Sequence, residues 1–382
     1  ISAGGTLTTY SGAIFNENSA DVDFRVESDG NANMLFVDGG NNRVGVGTGS
    51  PATLLEIDSN SAPTLRISNS KEWSGADSGT VGELQFYMKD SSTPYGTKVA
   101  TFIKTTNNAG SSVPEGELSF GTSAGGGAST NAVERFRIAA DGSLSTPTLG
   151  TSNVRFGVNA GNSIASGGNY NVVVGDEAGT AITTGDNNVG VGKSALSSNT
   201  TASNNTAVGK DALKANATGE ANTALGSVAL DANTTGGFNT GLGVHALGAN
   251  TTASYNTAVG WGSLKVNTTA ANNTAVGHFA LGANTTGAEN TAVGAEALDA
   301  NTTGSSNNAF GYHSLSNNTT GGANVGIGRG ALFSNTTASN NIAVGYFALL
   351  VNTTGEQNVA VGSSAGDSIT TGNRNTILGY NS

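Results

Sequence analysis

The chain has 382 residues, among them 57 glycines, 5 prolines and no cysteine, and only 11% of its residues are charged. This composition excludes an ordinary helical enzyme, and the absence of cysteine excludes disulfides and thiolate metal sites. The formal net charge of −11 argues against nucleic-acid binding, which needs a clustered basic face. No apolar run is long enough to predict a membrane-spanning helix.

Residues 1–50 are predicted to form a β-rich shaft or connector. Polar and apolar residues alternate strictly over residues 21–27, and Asp29-Gly30 is a turn signal. Residues 34–37 have no polar face, so we expect partner chains to cover both sides of this strand. Residues 43–47 resemble a single strand of the coils described below.

Residues 51–146 are predicted to form a small β domain, sandwich-like or barrel-like. Short runs rich in β-branched and aromatic residues alternate there with loops rich in Gly and Ser. The predicted strands are residues 54–57, 64–68, 82–89, 98–104, 116–121 and 133–138. Residues 147–150 are predicted to be a linker.

Residues 151–382 contain a repeat of 17 residues, Asn-Thr-Ala-Val-Gly-x-x-Ala-Leu-x-x-Asn-Thr-Thr-Gly-x-x. The first glycine of the repeat recurs at this fixed interval from Gly175 to Gly379. The unit is too short for a pair of helices, and its residue types suit one strand and one turn. Each unit is therefore predicted to be one coil of a parallel β-solenoid, or β-roll, about 60 Å long.

Two apolar columns follow from the repeat. The residue before each glycine is always apolar, as in Val208, and the residue before that is small, as in Ala207. Neighbours in a strand point to opposite faces, so one face can fill the coil while the other needs a cover. A partner chain is the simplest cover, and we expect a parallel homotrimer.

The two ends of the roll differ from its middle. Gly179 and Ile182 replace the usual Leu and Asn, and Gly366 and Ile369 repeat the exchange. Because a solenoid must close its core at each end, capping coils are predicted at about 176–187 and 363–374.

An asparagine opens every regular turn and is followed two residues later by Thr. This pattern is the acceptor motif for N-glycosylation, but stacked asparagines can equally form amide ladders between coils. The ladder interpretation is favoured, because the turn alone demands the same residues. The ten candidates are Asn199, Asn216, Asn233, Asn250, Asn267, Asn284, Asn301, Asn318, Asn335 and Asn352.

Several motifs resemble modules of bacteriophage tail fibres. They are AIFNE at 13–17, DFRVESDG at 23–30, LFVD at 35–38, NRVGVGT at 42–48, GELQFY at 82–87 and ERFRI at 134–138. The 17-residue repeat is common in such fibres and is similar in style to the β-roll heads of trimeric autotransporter adhesins.

The resemblance implies a homotrimer in a virion tail, and so outside the cell. Implied partners are other virion tail proteins and a host cell-surface glycan or protein receptor. Such fibres often end in a self-cleaving intramolecular chaperone; the chain ends at Ser382 without one, as expected of a mature product or, equally, of a shortened chain.

The sequence shows no catalytic constellation, so we predict neither an enzyme nor a cofactor or metal site. The three histidines, His245, His278 and His313, lie in different coils and are interpreted as solvated side chains. Acidic residues could serve a polysaccharide depolymerase, but they show no repeated pattern and are interpreted as surface charges. They include Asp176, Glu177, Asp211, Asp231, Glu296 and Asp299.

The two residues after each glycine vary, and they become aromatic over one part of the roll. Variable positions on a fixed scaffold are natural binding sites, and aromatic faces pack well against sugar rings. The alternative is that these rings pack against neighbouring chains of the trimer. The candidate receptor- or glycan-binding residues are Trp261, His278, Phe279, Tyr312, His313, Tyr346 and Phe347.

The leading hypothesis is therefore a structural and adhesive fibre that mediates attachment to a host cell. A bacterial surface adhesin or glycosylated extracellular fibril is the first alternative. A depolymerase tailspike is the second alternative.

Overall fold

The structure is a computed structural model that describes residues 24–28, 31–58, 79–89, 97–107, 116–122, 133–138, 144–146, 150 and 152–382. The chain divides into two compact units, Ile1–Glu72 and Trp73–Ser382. The described residues form strands and turns without any helix, which confirms the all-β prediction. Over the same residues, no helix is therefore able to span a membrane.

The first unit contains a four-stranded sheet. Its strands are β1 Phe24–Ser28, β2 Asn31–Asp38, β3 Arg43–Val46 and β4 Leu55–Ile57. The first three pair antiparallel and β4 pairs parallel to β3. The strands predicted within 21–27, 34–37 and 43–47 are thus present as far as the described residues reach. Strand β4 lies beyond residue 50, where the first segment was predicted to end.

The second unit begins with a five-stranded antiparallel sheet in sequential order. Its strands are β5 Gly79–Lys89, β6 Thr97–Asn107, β7 Gly116–Thr122, β8 Val133–Ile138 and β9 Leu144–Ser145. Four of the predicted strands coincide with β5 to β8. The strand predicted at 64–68 lies outside the described residues, and the strand predicted at 54–57 is β4 of the other sheet.

Fourteen short parallel strands form the rest of the second unit. They are β10 Val154–Phe156, β11 Val172–Val174, β12 Val189–Val191, β13 Thr206–Val208, β14 Thr223–Leu225, β15 Thr240–Leu242, β16 Thr257–Val259, β17 Thr274–Val276, β18 Thr291–Val293, β19 Asn308–Phe310, β20 Val325–Ile327, β21 Ile342–Val344, β22 Val359–Val361 and β23 Thr376–Leu378. Each strand pairs in register with the same positions of the next coil, so the β-solenoid prediction is confirmed. The first coil lies within the predicted roll but outside its fixed interval, because residues 153–170 contain 18 residues instead of 17.

The small face of each strand points inward. Coil positions are counted from the asparagine before each strand, so the strand occupies positions 2 to 4 and the glycine position 5. Alanine at position 3 is fully buried, as in Ala258, and it packs with Ala and Leu at positions 8 and 9. The apolar residue at position 4 points outward, and Leu242 keeps 41% of its surface exposed. The interior is therefore built from the alanine face.

Position 5 requires glycine for two reasons. Its φ is positive in every coil, +126° at Gly260 for example, a region that L-residues rarely adopt. A Cβ atom on Gly260 would also lie 2.5 Å from the carbonyl oxygen of Gly277 in the next coil. Because the coils stack directly, the tight turn after each strand leaves no room for a side chain.

The leucine at position 9 also adopts a left-handed conformation, with φ between 48° and 55° in the ten regular coils. This conformation costs a non-glycine residue about 1–2 kcal/mol. Full burial of a leucine side chain contributes about 1.5–3 kcal/mol, which offsets that cost. The turn therefore places Leu213 and its counterparts at 0% exposure in the centre of the coil.

The other half of the interior is an amide network. Asn205, at position 1, donates from Nδ2 to the carbonyl of Gly219 and accepts at Oδ1 from the backbone N–H of Asn222, at 2.9 Å each. The turn asparagines at position 12 form a continuous ladder in which each Nδ2 donates to Oδ1 of the preceding coil, at 2.7–3.2 Å. Most buried amide groups thus find partners within the stack, the exceptions being Nδ2 of Asn273 and Oδ1 of Asn352.

This network bears on the ten candidate glycosylation sites. All ten asparagine side chains are 0% exposed. Asn233, for example, uses both Nδ2 hydrogens, one to Asn216 at 2.8 Å and one to the carbonyl of Gly236 at 2.9 Å. A glycan on Nδ2 would break these bonds and would need space that the folded coil lacks. The ladder is by itself sufficient to account for these asparagines.

The ends of the roll differ from its middle coils at three interior positions, 3, 9 and 12. Gly179 leaves a space at position 9, and the side chains of Val173 and Ile182 converge on it. Ile377 and Ile369 converge on Gly366 in the same way at the other end. The sequence revealed the Gly and Ile of each cap but not the larger residue at position 3. At the C-terminal cap the ladder stops, and Oδ1 of Asn352 is left buried without a hydrogen bond.

The cap predicts a coupled mutational effect. Gly179→Leu alone should lower the stability of the roll by about 1–3 kcal/mol, because the added side chain meets Val173 and Ile182. The triple variant Val173→Ala, Gly179→Leu, Ile182→Asn recreates the set found in the middle coils and should recover most of the loss. Chemical denaturation followed by circular dichroism measures both effects. A triple variant no more stable than Gly179→Leu would contradict this account of the cap.

Candidate functional site

The seven candidate binding residues lie on one surface of the roll. They occupy positions 6 and 7, directly after the strand and its glycine. Residues at position 6 point outward, and Trp261, Tyr312 and Tyr346 keep 42%, 46% and 47% of their surface exposed. Residues at position 7 are half-buried and have positive φ, as at Phe279 and Phe347. The rigid turn therefore presents one ring outward and tucks the next against the coil.

Three of the rings form a first cluster. The ring centroids of Trp261 and His278 are 5.3 Å apart and their planes are nearly parallel. Phe279 meets both rings edge-on, with centroids at 4.5 Å and 4.9 Å. The ammonium group of Lys265 lies 5.9 Å from the centre of Trp261 and 6.0 Å from Phe279, within range of a cation–π interaction.

A second cluster is centred on Arg329. Its guanidinium lies 5.6 Å from the ring of Tyr312, 6.0 Å from Tyr346 and 5.9 Å from Phe347. Tyr346 and Phe347 are themselves in contact, with centroids 4.0 Å apart. A planar cation among three rings fixes their orientation.

Glu296 joins the two clusters. Its carboxylate lies 4.0 Å from Nδ1 of His278 and 3.2 Å from Nε2 of His313. His313 in turn packs against the ring of Tyr312 at 3.9 Å. The two clusters and Glu296 therefore form one continuous surface, here called the aromatic strip, which extends from Trp261 to Phe347.

Two grooves lie along the aromatic strip. The first, of 470 Å³, is lined by Phe279, Lys265, Val266 and the carboxylates of Glu296 and Asp299. The second, of 260 Å³, lies beside Arg329 and the rings around it. Each combines apolar walls with a few charged groups, which is the usual character of a small-molecule site.

The carboxylates differ in their surroundings. Burial raises the pKa of Asp299 above its ordinary value, and the nearby charge of Glu296 acts in the same direction. The hydroxyl of Ser316 donates to Asp299 at 2.5 Å and opposes this shift. Asp231 occupies the same coil position, and burial raises its pKa as well. In contrast, hydrogen bonds from Lys210 and Lys214 hold the pKa of Asp211 low.

The hydroxyl of Ser316 is also 3.4 Å from Nδ1 of His313. This arrangement is not that of an activated nucleophile, because the hydroxyl proton is directed to Asp299 and Ser316 is 5% exposed. Among the residues that the structure describes, no three His, Cys, Asp or Glu side chains are placed to hold a metal ion.

The sequence did not identify every exposed ring or every partner. Lys265, and Phe333 beside His313, lie at position 10, one turn further along the coil. Phe238 and Tyr255 stack at 5.2 Å at position 17, before the strand, and remain 57% and 60% exposed. Reading positions 10 and 17 as columns would have revealed these residues.

Comparison with known proteins supplies no relative. The chain matches no protein-family model, no curated protein and no solved structure. The family resemblance therefore rests on the motifs given above, and the structure supports it at the level of a β-solenoid.

The raised pKa of Asp299 predicts a pH-dependent stability. Between the unfolded and the folded pKa the folded state binds more protons, so this group adds stability as the pH falls through that window. Asp299→Asn should remove this gain and should stabilise the protein at neutral pH by up to about 1 kcal/mol, since the carboxylate is only partly buried. Thermal unfolding midpoints at several pH values measure the effect.

Asp211→Asn is the matched control, because its carboxyl has a lowered pKa. The Asp211 carboxylate stabilises the folded state at neutral pH, and this stabilisation is lost on acidification. Asp211→Asn should therefore be less stable than the wild type at pH 7 and equally stable in acid. The interpretation fails if both variants show the same pH profile.

Proposed function

We propose that this chain is a structural and adhesive fibre protein that attaches to a cell-surface carbohydrate through the aromatic strip. The observation that supports this most strongly is the continuity of the strip, in which rings from four coils and their charged partners share one exposed surface of a rigid roll. An exposed apolar surface with polar groups beside it usually marks an interaction site.

Carbohydrate is the ligand class that suits this chemistry best. The C–H face of a sugar ring packs against an aromatic ring, and its hydroxyl groups hydrogen-bond to charged side chains. Trp261 and Tyr312 offer exposed rings, and Lys265, Glu296 and Asp299 offer charges in the adjoining groove. Trp261 and Tyr312 are three coils apart, or about 14 Å along the roll, so a chain of sugars could engage both.

The tail-fibre motifs extend the proposal to a virion tail, outside the cell and joined to other tail proteins. A bacterial surface adhesin or extracellular fibril remains the alternative for the same fold. The ladder of buried asparagines gives no support to a glycan coat on either.

A parallel homotrimer is part of the proposal. Positions 2 and 4 form the outward face of the fourteen-stranded sheet, and none of these residues is charged. Leu225, Phe310 and Ile327 are 45%, 40% and 42% exposed there in the single chain. Parallel sheets are normally covered on both faces, and another copy has the same repeat along its whole length. The rings of the aromatic strip could serve the same contact instead of a glycan.

Binding to an array of bacterial surface glycans tests the carbohydrate proposal. Trp261→Ala and Tyr312→Ala should each weaken binding about tenfold, equivalent to about 1.4 kcal/mol. Tyr255→Ala removes a ring that is more exposed than either of these but lies at the other end of the strand, and it should leave affinity unchanged. Full binding by both strip variants, or equal losses in all three, would overturn the proposal.

A depolymerase is a second candidate, because Glu296 and Asp299 line the same groove and burial raises the pKa of Asp299. Two carboxyl groups that face one groove are the arrangement that glycoside cleavage uses. Release of reducing ends from a bound glycan, abolished by Glu296→Gln, would support it; binding without release excludes it for that glycan.

Light scattering tests the trimer. The wild type should have three times the mass of the chain. Leu242→Lys should shift it to the monomer, because the lysine is solvated in one chain but buried without a partner at the interface. Thr235→Lys, on an exposed turn, is the control and should stay trimeric. A monomeric wild type would contradict the homotrimer.

A further inference from the structure

A separate pocket lies where the five-stranded sheet meets the first coil of the roll. It has a volume of 370 Å³ and is lined by Arg135 of β8, Thr146 after β9, and Arg155 of β10, with Glu134 and Gly157. None of these residues belongs to the aromatic strip. The pocket places two guanidinium groups on one cavity.

Each of the two arginines is held through only one of its nitrogens, Nε. Nε of Arg135 donates to the hydroxyl of Thr122 at 3.3 Å, and Nε of Arg155 donates to the carbonyl of Ala160 at 2.6 Å. The terminal Nη groups of both side chains have no hydrogen bond or ion pair with any described residue. Each guanidinium is thus fixed in orientation while its outer edge stays available, as in sites that bind a carboxylate or phosphate.

The positive charge of the pocket lining exceeds its negative charge, since two arginines face one glutamate. Burial lowers the pKa of Arg155, and the charge of Arg135 acts in the same direction. Glu134, the acidic residue of the lining, is directed to Nε of Arg137 at 3.5 Å. Two like charges near one cavity destabilise the empty protein, and an anion between them would relieve that cost.

An unpartnered polar group adds an independent indication. The hydroxyl oxygen of Thr146 is buried and has no hydrogen bond. Buried polar groups are nearly always paired, so such a group marks a place where a ligand or water belongs. Thr146 lines the pocket, so a rotation of its side chain would bring the hydroxyl to the cavity, where it can donate to an anionic oxygen alongside the two guanidinium groups.

From this geometry we infer that the pocket binds an oxyanion carried on a small, sugar-sized ligand. Arg135 and Arg155 would hold the anionic group, with Thr146 donating a further hydrogen bond. The volume exceeds what a bare phosphate fills and reaches the range of small-ligand sites. The carboxylate of a hexuronic acid and the phosphate of a sugar phosphate share this chemistry. The inference does not depend on the function proposed for the aromatic strip.

Calorimetric titration of the whole chain with glucuronate, glucose 6-phosphate, inorganic phosphate and glucose tests the inference. Glucuronate or glucose 6-phosphate should bind, and whichever binds more tightly identifies the carboxylate or the phosphate as the preferred group. Inorganic phosphate should bind more weakly, and neutral glucose should not bind. Failure of both anionic sugars to bind, or equal binding of glucose, would overturn the inference.

Variants separate binding from folding. Arg135→Gln should weaken anion binding at least tenfold, and Thr146→Val, of the same shape, should weaken it severalfold. In the ligand-free protein Arg135→Gln should leave the melting temperature unchanged or raise it, since a like charge is removed. A purely structural arginine would lower it instead.

Arg374→Gln is the charge-matched control. Arg374 is an exposed residue of the last coil whose Nε donates to the side chain of Gln357 at 2.9 Å, and it does not line the pocket. The variant removes the same charge but leaves the lining intact, so anion affinity should change less than threefold. Equal losses for Arg135→Gln and Arg374→Gln would show a general charge effect and would contradict a specific site.

Discussion

Everything in the roll depends on the stacking of each coil directly on an identical coil. Because the strands pair in register, every side chain has the same position of the next coil about 4.8 Å above and below it. Only residues that tolerate a copy of themselves at that distance can occupy the interior. Alanine and leucine can do so by packing, and asparagine by donating to the asparagine before it. Charged residues cannot, and they are found outside.

The same constraint explains why the unusual backbone is accepted. Each regular coil contains a glycine and several non-glycine residues with positive φ, Leu213 among them. One such turn alone would be unfavourable. Here each coil stacks on a coil of the same shape. The burial of leucine and the amide ladder therefore offset the conformational cost of the positive-φ residues in every repeat. The ends, where one neighbour differs, are where the residue set changes.

A fixed interior frees the outer positions to vary. Positions 6, 7 and 10 do not contribute to the core, so they can hold Lys, Glu, Trp or Tyr without altering the coil. Side chains on successive coils then meet along the roll, as Trp261, His278 and Glu296 do. Rigid placement of this kind is what a binding surface needs. The outward strand face is equally free but carries no charge in any coil, and its position 4 is always apolar, which suggests a different use.

The sequence predicted the fold well because a strict period leaves few solutions. It predicted the solenoid, and its columns located the cap residues and placed the seven candidate binding residues at the same two coil positions. It could not predict the coil of 18 residues, since a search for a fixed interval passes over it. It did not reveal the contacts of Lys265 and Arg329 with the aromatic rings either, because the path of the turn decides which side chains lie next to each other. It could not predict that Arg135 and Arg155 line one pocket, because they lie on β8 and β10, which no repeat relates to each other.

The in-register stacking of coils also fixes distances along the roll in equal steps. Adding or removing a whole repeat between the caps changes the length by one step of about 4.8 Å and leaves every contact of the remaining coils intact. Losing a single residue would instead move one column onto the wrong neighbours. The separation along the roll between Trp261 of the first aromatic cluster and Tyr312 of the second can therefore change only in whole steps. Its present value of about 14 Å is a discrete setting that a ligand with its own repeat can match or miss.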